Sequence, residues 1–126
     1  MDLTKYFEEH AGFGVLSTAD QDGRVNAAVY ARPHCFPDGT VGFIMSERLT
    51  HSNLQSNDSA AYLFRQDTDA GDRRHEGVRL YLRKIGERDD QEEIAKLRRR
   101  ARGYGSGRRH MVIFEVAQQL PLVGAG

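Results

Sequence analysis

The sequence predicts a mainly β fold of the α+β class: a six-stranded antiparallel β-barrel with peripheral helices, filling residues 1–126 as a single domain. Three observations carry this expectation. Six short runs have the alternating or continuous apolar pattern of strands. Asp22-Gly23 and Asp38-Gly39 supply hairpin turn signals between consecutive runs. A chain of 126 residues supports one core, and short strands joined by tight turns cover their own edges most simply as a small barrel.

The elements follow in order. "DLTKYFEEHAG" predicts a short helix, with Leu3, Tyr6, Phe7 and His10 on one face and Gly12 as its stop. "FGVLSTA" reads as a strand, "DQDG" as a turn, "RVNAAVYARP" as a second strand and "FPDGTVGFIMS" as a hairpin turn and third strand. "MSERLTHSNLQSN" then opens a helix near Thr50 or Ser52. "SAAYLFRQ" is the fourth strand, and the charged stretch 66–77 is a loop whose one apolar residue is Ala70. In "VRLYLRKIGE", Val78, Leu80 and Leu82 alternate with Arg79, Tyr81 and Arg83, as a half-buried strand requires. "DDQEEIAKLRRRARGYG" is a helix with acidic residues first and basic residues last, the order that suits the helix dipole. "RRHMVIFEVAQQL" is the sixth strand, and "PLVGAG" a tail.

Composition removes several function classes. Lys plus Arg and Asp plus Glu both total 18, so the chain lacks the basic excess of a nucleic-acid binder. The run of Arg98, Arg99, Arg100, Arg102, Arg108 and Arg109 reads as a solvated helix end balanced by Asp89, Asp90, Glu92 and Glu93. No apolar run is long enough to span a bilayer, and the N-terminus has no signal-peptide pattern. With Cys35 as the sole cysteine, a cytoplasmic protein is expected. His34 beside Cys35 does not make a metal site, and His10, His51, His75 and His110 show no ligand spacing, so no metal is expected. Cys35 is expected in a hairpin loop. There is no Ser-His-Asp order, P-loop or G-x-G-x-x-G.

The unusual stretch is residues 45–57. Ser46, Thr50 and Ser52 offer hydroxyls, Asn53 an amide and Arg48 a fixed cation, all around a helix start whose first amides lack intrahelical partners. That chemistry suits a phosphate. The same residue types also serve as plain helix caps, and on type alone capping is the commoner explanation.

The stretch "FIMSERLTHSNLQSNDSAAYLF" resembles the FMN-binding split-barrel family related to pyridoxamine 5′-phosphate oxidase, in which a polar turn and short helix grip the FMN phosphate ahead of a strand like "NDSAAYLF". "GVLSTADQDGRVNAAVYA" is similar to that family's first hairpin, "GVRLYLRKIG" to its fifth strand and "HMVIFEVAQQLPLVG" to its closing strand and tail. The resemblance implies a split β-barrel, an FMN cofactor in a groove between the subunits of a homodimer, and flavin-dependent oxidoreductase chemistry on a small molecule. A flavin carrier, or a haem or tetrapyrrole binder, is the alternative on the same fold.

By position, Ser46, Arg48, Leu49, Thr50 and Asn53 match the phosphate turn, and Phe43, Ile44 and Met45 the strand whose backbone lines the flavin. Asn26, Ala27 and Ala28 match the strand facing the isoalloxazine ring, and Arg79 a position reaching the flavin across the dimer. Many relatives carry a lysine where this chain has Leu49-Thr50, which leaves Arg48 and His51 as the candidate cations. The resemblance also implies longer C-terminal substrate segments in true pyridoxamine phosphate oxidases, so that activity is not expected here. "MVIFEV", apolar on both faces, is expected to need a second cover, which a partner subunit would supply.

Overall fold

The computed structural model describes residues 1–68, 75–97 and 107–124. The elements are α1 (Leu3–Glu9), β1 (Gly12–Ala19), β2 (Val25–Val29), β3 (His34–Cys35), β4 (Val41–Ser46), α2 (Leu49–Ser56), β5 (Ser59–Gln66), β6 (Gly77–Arg88), α3 (Gln91–Leu97) and β7 (Arg109–Pro121). All strand pairs are antiparallel, in the order β2-β1-β5-β6-β7-β4-β3. The expected mainly β, α+β barrel is present, with seven strands in place of six. The addition is β3: His34 and Cys35, expected in a loop, pair with Gly42 and Val41.

Both Asp-Gly turns form as expected. The Asp20 carboxylate accepts hydrogen bonds from the amides of Asp22 and Arg24, and Gly23 takes a φ of 83° that side chains resist. Asp38 does the same for Thr40, with Gly39 at 89°. Gly12 has a different role from the expected helix stop. The helix ends earlier, at His10, whose amide returns to the Tyr6 carbonyl, and Gly12 begins β1. A Cβ on Gly12 would lie 2.2 Å from the Arg65 carbonyl oxygen, so close strand contact requires this glycine.

The sheet does not close by hydrogen bonds: β2 and β3 are its two ends and do not pair with each other. This open seam is that of the split β-barrel which the resemblance implies, rather than of a fully closed barrel. Phe43, Tyr62, Phe64 and Phe114 fill the interior with Leu16, Leu80 and Val112, all at most 2% exposed. Helix α1 covers one end of this core with Leu3, Tyr6 and Phe7. Helix α2 sits against β1, β2 and β4, burying Leu54, Thr50 and Asn53.

The apolar sixth strand of the sequence, now β7, is covered without a second subunit. Val112 and Phe114 enter the main core, while Met111 and Ile113 pack with Ile94 of α3 and with Phe36, Ile44 and Leu97. A short amphipathic helix from the same chain supplies the second layer. Uncovered apolar surface lies elsewhere. Register pairs Val15 with Val29 and Leu63, and Ala61 with Ser17 and Tyr81, so these side chains share the outer face of β2-β1-β5-β6. Val25, Val29, Phe13, Leu63 and Tyr81 on that face are 41% to 83% exposed.

The expected loop at 66–77 and the basic end of the third helix fall largely on residues 69–74 and 98–106, outside the described residues. Among the described residues, no helix is long and apolar enough to cross a membrane.

Candidate functional site

The polar turn connects β4 to α2, and the structure separates its residues into two groups. Thr50 and Asn53 point inward. The Asn53 amide donates to the Thr18 hydroxyl at 3.1 Å, and the Asn26 amide donates to the Thr50 hydroxyl at 3.5 Å. These bonds fasten α2 to β1 and β2 across the open side of the barrel. Ser46 and Arg48 stay at the surface, with Leu49 57% exposed beside them.

Capping does not account for the turn. The residue at the N-cap of α2 is Arg48, which has no side-chain acceptor, and no side chain caps the helix. The Arg48 carbonyl accepts the Ser52 amide, the first bond of the helix. The amides of the first turn therefore have neither an intrahelical partner nor a side-chain cap, beside a guanidinium and a serine hydroxyl. This is a donor set for an anion.

Tyr30, which the sequence reading did not single out, completes the neighbourhood. Its phenol shares a hydrogen bond with Thr50 and senses the Arg48 charge. Burial raises its pKa above the ordinary phenol value, outweighing the opposing effect of Thr50 and Arg48, so it remains a protonated hydroxyl. An aromatic just past the end of β2 carried no motif, so no sequence signal pointed to it.

The other expected residues divide by strand geometry. Phe43 and Met45 point into the core, each 2% exposed, and Ile44 turns the other way beneath α3. Beyond Val41 and Gly42, which β3 covers, no other strand among the described residues pairs with the outer edge of β4. Asn26 and Ala28 are half-buried, and Ala27 lies on the exposed apolar face. Arg79 lies on that face too, but its guanidinium donates at 2.8 Å to the carbonyls of Pro121 and Gly124, which ties it to the C-terminal segment of its own chain. His51, the second candidate cation, faces away from Arg48's neighbourhood: its Nε2 sits 2.9 Å from Glu87. Two surface concavities, one at Leu54–Asp58 with Gln21 and one between Met1–Thr4 and Cys35–Pro37, include no residue of 43–53.

Neither a protein-family profile nor a curated protein matches this chain. Solved structures do. An FMN-binding protein from Syntrophomonas wolfei superposes with a TM-score of 0.74 at 19% identity, over 98% of this chain and 86% of that one. A Lactobacillus delbrueckii protein with the provisional name pyridoxamine 5′-phosphate oxidase gives 0.65 at 10% identity, over 95% and 92%. The haem storage protein HutZ from Vibrio cholerae gives 0.65 at 15%, over 93% and 90%. At these identities the likeness is one of fold, and it agrees with the strand order and open seam described above. This chain has the split-barrel fold of the pyridoxamine 5′-phosphate oxidase-like proteins.

Proposed function

We propose that the chain is an FMN-binding flavoprotein that works as a homodimer, acting as a flavin-dependent oxidoreductase on a small molecule. The observation that carries this reading is the start of α2, where Arg48 occupies the N-cap and no side chain satisfies the first-turn amides. The residues fit a phosphorylated flavin. Ser46, Arg48 and the α2 amides would hold the phosphate, while the outer edge of β4 and Ala27 on the adjoining face would flank the ring. FMN, when bound, supplies the redox chemistry, cycling between oxidised and reduced ring. The chain's own contribution is to hold the phosphate, to keep Tyr30 protonated beside it and to exclude water.

Dimerisation is supported by the outer face of β2-β1-β5-β6, where Val25, Val29, Phe13, Leu63 and Tyr81 form an exposed apolar surface beside the β2 positions expected to face the ring. Such a surface favours a protein cover. A flavin ring laid there needs a second wall, which a second copy would provide. The purified protein is expected to show the two near-visible flavin bands and to run as a dimer by light scattering at micromolar concentration. Leu63→Arg, a change at a surface position of the fold, is expected to give monomers with weakened flavin retention. A Soret band in place of flavin bands would replace FMN by a tetrapyrrole, and a stable monomer that keeps its flavin would contradict the shared groove.

A further inference from the structure

At the first turn of α2, three residues distant in sequence meet. His51 of α2, Glu87 of β6 and His110 of β7 place one donor atom each within 4.8 Å of one another. His51 Nε2 is 2.9 Å from Glu87 Oε1, and His110 Nδ1 is 3.9 Å from Glu87 Oε2. Ligand atoms about 2.0–2.2 Å from a tetrahedral ion stand about 3.4 Å apart, so three donors within 4.8 Å of one another need only small side-chain shifts to share one ion. Separations of 36 and 23 residues hid this set from any spacing rule; the fold assembles it.

We propose that His51, Glu87 and His110 form a binding site for one divalent transition-metal ion of the zinc type, with Asp89 as the fourth ligand. Two imidazoles and a carboxylate are a common ligand set for such an ion. The surrounding side chains orient the donors. Glu47 accepts from His110 Nε2 at 2.9 Å, which leaves Nδ1 to face the ion, the carboxylate–histidine–metal arrangement. Asp89 lies 2.7 Å from that Nδ1 and is half exposed, free to exchange a proton-mediated contact for a direct bond to the ion. The Lys84 ammonium and the Gln55 amide hold Glu87 Oε1 at 3.1 and 2.8 Å, which turns Oε2 toward His110.

Charge agrees. Three carboxylates (Glu47, Glu87 and Asp89) surround the two rings, against Lys84 and the more distant Arg108, 3.9 Å from Asp89. The remaining excess is negative, and His110 is 6% exposed, so the ion would be shielded from bulk water. The two rings stack at 4.3 Å and 15°. Coordination opens this stack by rotation of the less buried His51 ring. The consequence is a clamp that pins α2 to β6 and β7 and reaches the β4–α2 turn through Glu47, which lies between Ser46 and Arg48.

The test uses Co²⁺ as a spectroscopic probe and Zn²⁺ calorimetry on the full chain stripped with chelator. One Co²⁺ per chain is expected to give the intense visible bands of a four-coordinate ion, displaced by Zn²⁺. His51→Ala and Glu87→Gln should abolish the bands, and Glu47→Gln should weaken Zn²⁺ binding by about 10- to 100-fold. Zn²⁺ should raise the melting temperature of the parent but not of His51→Ala, with far-UV circular dichroism confirming that the variants fold. No Co²⁺ bands at millimolar metal would overturn the proposal. So would binding that survives His51→Ala and Glu87→Gln but falls with Cys35→Ser.

Discussion

Phe43→Ala is expected to destabilise the fold by about 3–5 kcal/mol, as large-to-small changes of buried aromatics do. Phe43 is the hub of the interior: its ring centroid lies 4.9 Å from Tyr62, 5.9 Å from Phe114 and 6.0 Å from Tyr30. These rings come from β5, β7 and the end of β2, so the cavity would open in the middle of the interior where these elements meet. The rings cannot collapse into it without breaking the Tyr62 hydroxyl's bond to the Tyr30 carbonyl, 3.1 Å. Urea denaturation should show the midpoint falling with little change of slope. Val123→Ala, at a site 63% exposed, should stay within about 0.5 kcal/mol of the parent. A Phe43→Ala loss below about 1 kcal/mol would show that the aromatic cluster does not hold the barrel together.

Arg48→Ala carries the largest expected effect on binding. Its guanidinium is the fixed cation at the start of α2, and a charge-assisted hydrogen bond to phosphate is worth about 1.5–3 kcal/mol. FMN affinity should therefore fall by roughly 10- to 150-fold. Riboflavin, without the phosphate, should bind variant and parent alike, and Arg65→Ala at the end of β5 should change neither. Because His51 is engaged with Glu87, the loss should be the same at pH 6 and pH 8. Titration by flavin fluorescence reads all of these. Unchanged FMN affinity in Arg48→Ala at both pH values would remove Arg48 from the site.

Much of the fold was legible because its signals are local. The alternation of Val78, Leu80 and Leu82 fixed the faces of β6, and both Asp-Gly turns were readable from two residues each. What was not legible depends on contacts between distant segments. His34–Cys35 becomes a strand only because Val41 and Gly42 lie beside it, and two residues carry no period. "MVIFEV" announced two buried faces but not their covers, and α3 rather than a second subunit took one of them. Gly12 looked like a helix stop because its real constraint, the Arg65 carbonyl, is more than fifty residues away.

The site shows the same division. Ser46 and Arg48 were identified from type and order, and they lie where a phosphate could reach them. Thr50 and Asn53 have the same polar character in sequence, yet helical geometry turns them inward to Asn26 and Thr18. Arg79 was assigned to the flavin by resemblance, whereas its guanidinium closes on the C-terminal segment. Tyr30 and the His51–Glu87–His110 cluster became visible only with the fold.

The central claim is that the β4–α2 turn is a phosphate site, and the most direct measurement is a side-by-side titration of flavin-free protein with FMN and riboflavin. Both ligands carry the same ring, so the ratio of their dissociation constants isolates the phosphate. FMN should bind at least about 10-fold more tightly, the lower bound set by a single charge-assisted contact. Equal affinities would contradict the account and leave the first-turn amides of α2 to water.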